Sequence, residues 1–215
     1  MTLPTAIWAY LIENSARFWQ ALGTHLALSG GALLIALVVA VPLGIGTSRW
    51  GGAGRVVLNA VGVARVVPSI AVLLLLLPIL GTGFPPSLVA LTLLAIPPIL
   101  LNTDAGLRAL DPAILEAGRG MGYPPLRLLR EVQVPLALPV ILAGVRTAAV
   151  EVIASATLAT FIGGGGLGQF IVSGLALSNN AILLAGAIPV ALLALLVEGL
   201  LAALQRSVTR RAVTT

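Results

Sequence analysis

The run D-P-A-I-L-E-A-G-R-G-M-G-Y-P-P-L-R-L-L-R-E-V-Q-V-P, from Asp111 to Pro135, decides how the rest of the chain is read. It is the longest stretch without a membrane-grade apolar segment, and it lies between two such segments. Asp111 can cap the free N–H groups of a helical first turn, and Pro112 suits the first helical position. Gly118, Gly120 and Gly122 then remove side chains at alternate positions before Pro124-Pro125 stops the helix. The expected product is a short helix with one nearly bare surface, open to close approach by another protein.

Composition supplies the setting. Hydrophobic residues make up 59% of the 215 residues and charged residues 9%, against about 45–50% and about 25% in soluble domains. A spanning helix needs about 20 mainly apolar residues, and the chain carries several such runs. It is therefore expected to be an all-α integral membrane protein lying in a lipid bilayer. There is no cysteine and a single histidine, His25, which removes thiolate and multi-histidine metal sites. Every basic residue is arginine, so the chain has no G-K-[ST] phosphate loop, and any ATP must be bound by another subunit. No nucleophile–base constellation can be assembled, so neither catalysis nor a cofactor or metal is expected. The formal charge of +5 is not clustered on one face, which argues against nucleic acid.

Outward from the loop, five spans are expected, at residues 24–46, 56–80, 87–106, 136–162 and 181–204, within one domain covering 1–215. Residues 1–21, with Trp8, Tyr10, Phe18 and Trp19, read as an interfacial helix in which Glu13 and Arg17 are spaced to pair. No basic region precedes a short apolar core there, so the stretch is not read as a signal peptide. His25 is expected to be interfacial or packed. Pro42-Leu43-Gly44 is expected to bend the first span. Arg65 and Val66-Val67-Pro68-Ser69 interrupt the second; Pro68 and Ser69 either line a translocation path or form a packing kink. Asp104 and Arg108, four apart, read as a solvated pair at a helix end.

Within the fourth span lie Arg146, roughly 16 Å beyond Pro135, and Glu151, roughly 24 Å beyond it. At five residues apart they do not face each other well. Ionisable groups within spans usually face a bundle interior or water; Glu151 could attract a cationic solute or pair with an arginine on another span. Gly163, Gly164, Gly165 and Gly166 lie between spans, not between a strand and a helix. They are expected to form a tight re-entrant turn, followed by a short amphipathic segment, and not a phosphate cradle.

Arginine placement gives the topology. Arg49, Arg55, Arg108, Arg119, Arg127, Arg130, Arg206, Arg210 and Arg211 fall on one side of a five-span arrangement, with only Arg17 opposite. The positive-inside rule places the 111–135 loop and the C-terminus in the cytoplasm.

The loop also carries a resemblance. Glu116-Ala117-Gly118, three residues, Gly122, nine residues and Val132-Gln133-Val134-Pro135 resemble the EAA loop of ABC-importer permeases, with Gly118, Val132 and Val134 as small or apolar departures. Val67-Pro68-Ser69, Asn102-Thr103, Gly144-Val145-Arg146-Thr147-Ala148 and Phe161 through Gly168 are similar to permease subunits of osmoprotectant importers. The similarity covers most of residues 22–205.

The resemblance implies a five-helix permease of the methionine-importer type in the inner membrane of a prokaryote. It implies a permease dimer, of one chain or two, with cytoplasmic ATP-binding subunits and a separate extracytoplasmic substrate-binding protein. The implied solutes are glycine betaine, choline, carnitine or proline betaine. Asp111, Glu116, Ala117, Gly118 and Gly122 would then belong to the helix coupling the permease to its ATPase. An amino acid or other small solute would suit the same machine. An ion-coupled secondary transporter, which often shows paired repeats, is the more distant alternative.

Overall fold

The structure is a computed structural model that describes residues 2–214, with side chains through residue 209. The side chains of Arg210 and Arg211, counted above toward the C-terminal charge, lie outside the described residues. The described chain is built from helices and turns, with no strand.

Helix α1 (Leu3–Glu13) is followed after Asn14 by α2 (Ser15–Thr47). A sharp turn leads to α3 (Gly52–Ala64) and α4 (Ser69–Leu80). Then come α5 (Phe84–Arg108), α6 (Pro112–Gly120) and α7 (Pro125–Leu128). A π-turn over Leu129–Gln133 joins α7 to α8 (Val134–Ser155), and a 3-10 turn over Leu158–Ile162 precedes α9 (Gly168–Ala176) and α10 (Asn180–Thr214). Four helices are long and apolar enough to cross a membrane: α2, α5, the continuous run Pro125–Ser155, and α10. The α3–α4 pair passes the same test only as a unit bent by 99°.

Helix α5 is the central post. Its packing against α2 follows from small residues spaced by four: Ala32, Ala36, Ala40 and Gly44 are buried in line below Leu28. A Cβ at Gly44 would lie 2.6 Å from Thr103 Cβ and 2.9 Å from the Leu100 carbonyl, so only glycine lets the two backbones approach here. On the opposite side α8 uses the same device, since a Cβ at Gly144 would lie 2.6 Å from the Pro98 carbonyl. Leu91, Ala95, Ile99, Leu100, Ala148 and Val152 fill the core between these helices. Helix α10 packs along α8 and α9, while many leucines on its outer face, including Leu192, Leu195 and Leu196, remain exposed.

Several expectations are corrected by this arrangement. The second span is not one helix: Arg65–Pro68 break it, because Pro68 denies its predecessor the α region and takes the N-cap of α4. Helix α2 starts at Ser15, earlier than residue 24, and continues through Pro42. The helix expected over 136–162 ends at Ser155 and tightens into a 3-10 turn. Arg17 does not pair with Glu13; its guanidinium lies 5.3 Å from the centre of the Phe170 ring, because Asn14 interrupts the helix between the two. Asp104 and Arg108 are not a solvated pair. Asp104 is 4% exposed and accepts from Arg108 Nε at 2.7 Å.

Candidate coupling surface and translocation path

Helix α6 begins as its sequence requires. The Asp111 carboxylate accepts from the Ala113 N–H at 2.9 Å, and Pro112 occupies the first turn, where it forfeits no hydrogen bond. Ile114, Glu116 and Ala117 are exposed on the helix. Gly118 is buried, turned toward the loop's own interior. The three glycines therefore do not form one bare docking face: Gly118 packs inward, Gly120 has open space around it, and Gly122 lies past the helix end. Gly122 adopts φ +80°, the left-handed region, with nothing near its missing side chain. Its role is backbone geometry.

The end of the motif shapes the re-entry into the apolar region. In a regular α-helix Pro135 would lack the N–H owed to Glu131 and crowd that carbonyl. The chain widens into the π-turn over Leu129–Gln133 directly before it, which accommodates the ring and keeps the run from Pro125 to Ser155 helical. Beside the turn, Arg127 donates to Glu131 at 3.0 Å and lies 4.5 Å from the centre of the Tyr123 ring.

Above the loop, Arg108 joins the ends of two spans. Its Nη2 donates to the Thr47 carbonyl at 2.7 Å, and Thr47 Oγ1 donates to Asp104 Oδ1 at 2.9 Å. The C-terminus of α2 is thereby bound to α5 three residues before the cap of α6. The spacing of Asp104 and Arg108 was visible in the sequence; the third member, Thr47, was not, because nothing local links residues 57 apart.

The four residues considered for a path fall into different surroundings. Pro68 and Ser69 sit at the bend between α3 and α4. Glu151 and Arg65 line one cavity of about 440 Å³, otherwise mainly apolar, together with Val67, Leu76 and Pro97. Glu151 also borders a second cavity, of about 460 Å³, shared with Arg146 and Glu198. Arg146 is engaged there: its Nε lies 2.7 Å from Glu198 Oε1, and its Nη1 donates to Gln205 at 3.1 Å. Glu198 was missed in the sequence. The available signal was a lone acid in the expected fifth span, which needs a partner when a base lies in another span.

At the other end of the bundle the glycine run forms a tight turn. Gly163, Gly165 and Gly166 all have positive φ, at 77°, 80° and 86°. Gly164 packs on Ser87, where any side chain would collide. His25 is fully buried beneath this turn; its Nε2–H donates to the Ile153 carbonyl at 3.1 Å. The Gly83 N–H donates to the Ile162 carbonyl at 2.7 Å, tying the start of α5 to the same turn. No metal-binding group of three or more ligands occurs among the described residues.

Comparison with known proteins places these features in a family. The model described as "Binding-protein-dependent transport system inner membrane component" matches residues 32–210. The chain is 39% identical over 200 residues to the glycine betaine/carnitine/choline transport system permease protein OpuCB of Bacillus subtilis, covering 93% of this chain and 92% of that one. It is 42% identical over 208 residues to the carnitine transport permease protein OpuCB of Listeria monocytogenes, covering 97% and 95%. With the osmoprotectant import permease protein OsmW of Salmonella typhimurium it shares 36% identity, covering 95% and 97%. Among solved structures, the MetNI methionine ABC transporter in an inward-facing conformation matches with a TM-score of 0.81 at 24% identity, over 89% of this chain and 95% of that one. The family match and the shared helical architecture together lead to one assignment: the chain belongs to the binding-protein-dependent transport system inner membrane components and has the permease fold of the methionine-importer type.

Proposed function

We propose that this chain is the transmembrane permease subunit of an ATP-driven importer for quaternary-ammonium osmolytes such as glycine betaine, choline or carnitine. The observation that carries the reading is near full-length identity of 39% and 42% to permeases named for these solutes, and of 36% to one named for osmoprotectant import. The working assembly comprises a second permease chain, ATP-binding subunits on the cytoplasmic side and an extracytoplasmic binding protein. The 111–135 loop and the C-terminus face the cytoplasm, in keeping with the arginine distribution.

In this scheme α6 docks on the ATPase through its exposed Glu116–Ala117 side. Gly122 sets the exit angle of the chain, and closure of the ATPase moves α6 as a rigid body against α5 and α8. The network of Asp104, Arg108 and Thr47 transmits that movement to α2 and α5 together. The bend at Pro68–Ser69 and the acid Glu151 face the path, where a carboxylate partly offset by Arg65 offers a cationic head group weak attraction without tight binding. Arg146, engaged by Glu198, holds α8 to α10. The glycine turn at 163–166 closes the extracytoplasmic end.

ATP hydrolysis by the assembled complex tests the substrate class. Stimulation by binding protein loaded with glycine betaine, choline or carnitine, and none with an amino acid, is the expected result. Stimulation by an amino acid alone would retain the machine and reject the osmolyte assignment.

A further inference from the structure

A cavity of about 460 Å³ separates α6 from the ends of α2 and α5, and its lining is unusual in charge. Three arginines line it from three separate elements: Arg49 from the turn after α2, Arg108 from the end of α5, and Arg119 from α6. No carboxylate lines it. Ser48, Tyr123 and Gln133 add neutral polar groups, and Leu107, Leu115 and Leu128 form an apolar side.

These arginines are unequally engaged. Arg108 is offset by Asp104, which lies behind it in the protein. Arg49 donates to the neutral Gln133 Oε1 at 2.9 Å. Arg119 makes no ion pair or side-chain hydrogen bond with any described residue. Arg49 and Arg119, both solvent-exposed, therefore line one space that has no carboxylate in its lining. Water screens the repulsion between exposed like charges, so what favours an anion here is the donor set: planar guanidinium forks match phosphate oxygens in pairs.

We propose that this cavity binds a phosphate group, supplied by the headgroup of an anionic phospholipid or by free phosphate. Arg49 and Arg108 lie just past the apolar stretches of α2 and α5, at the level where headgroups meet span ends. A phosphate there bridges α2, α5 and α6, holding the coupling helix against the spans it must move. The proposal rests on the cytoplasmic placement of the loop given above.

The test uses the assembled transporter of permease, ATPase and binding protein, by native mass spectrometry with phosphatidylglycerol and phosphatidylcholine as probes. Preferential retention of phosphatidylglycerol is expected, falling about tenfold for Arg49→Gln and further for Arg49→Gln with Arg119→Gln. Arg55→Gln, a change outside the cavity, is expected to leave retention unchanged. Resistance of the retained lipid to millimolar inorganic phosphate identifies the lipid as the source; displacement identifies free phosphate as a competent ligand. Equal retention of both lipids, or no change in the double variant, would overturn the proposal. So would loss of the ATPase subunit from the variants at undiminished lipid retention, which would assign the cavity to a carboxylate of the ATPase. ATP-dependent uptake by the unmodified preparation reports separately on the transport function, so failure of the anion site and failure of the importer assignment are distinguishable.

Discussion

Leu128 of α7 rests on Gly118 of α6 so closely that a Cβ at Gly118 would lie 2.5 Å from Leu128 Cδ1. Helix α6 is thus folded onto its own loop. Because the obstructing atom ends a flexible side chain, Gly118→Ala should be absorbed by a rotamer change in Leu128 at a cost below about 1 kcal/mol. Gly118→Val overpacks the site and should cost about 1–3 kcal/mol. Thermal unfolding of the two purified variants checks this; equal midpoints would show that Leu128 does not confine Gly118.

Gly122 has a different requirement. At φ +80° with open space around it, any L side chain is strained by about 1–2 kcal/mol whatever its size. Gly122→Ala and Gly122→Trp should therefore remain in the membrane at normal levels while ATP hydrolysis becomes uncoupled from uptake. The ratio of solute moved to ATP hydrolysed is the readout. Glu116→Arg should lower the same ratio through its exposed position on the proposed docking side, and unchanged ratios in all three would remove the proposed coupling role from α6.

Asp104 is the buried member of the network at the ends of α2 and α5. Removing one partner of a buried pair costs about 3–5 kcal/mol; Arg108 is 41% exposed, so Asp104→Ala should cost less, about 2 kcal/mol. The double change Asp104→Ala with Arg108→Ala should be less destabilising than the sum of the single changes. Strict additivity in the mutant cycle would show that the pair carries no coupling energy.

Arg146 and Glu198 make the same kind of prediction within the spans. Arg146→Met strands the Glu198 carboxylate in an apolar setting and should reduce accumulation in the membrane, and Arg146→Met with Glu198→Met should restore it. Failure of the second change to rescue the first would assign Arg146 a role beyond tethering α8 to α10.

Glu151 is proposed to face the path. Glu151→Gln removes the charge at nearly constant shape, so uptake of a cationic solute should fall by about 1 kcal/mol in apparent transition-state stabilisation, roughly fivefold, more than that of a neutral one. Identical rates and preferences would return Glu151 to a packing role with Arg65.

What the sequence revealed depended on the range of the interaction that fixed each feature. The start of α6, with Asp111 as cap and Pro112 behind it, is decided within three residues and was legible in full. So was the tight turn at Gly163–Gly166, where backbone freedom is written as glycine. The break at Pro68 was visible, but its 99° angle was not, because proline sets local φ while packing sets the direction of the next helix. The inward role of Gly118 needed Leu128, ten residues away across a turn. Thr47 with Asp104, and Arg146 with Glu198, required the helices to be assembled first. Sequence spacing favoured the i,i+4 pair Glu13–Arg17, which the helix break at Asn14 prevents.

ATP-driven uptake is the most direct test of the account. Membrane vesicles carrying this chain with its ATP-binding subunit and binding protein would be given labelled glycine betaine, with choline, carnitine and an amino acid as unlabelled competitors. The account predicts uptake that requires ATP, is reduced by choline and carnitine, and is insensitive to the amino acid. Uptake that continues without ATP on an ion gradient would contradict it.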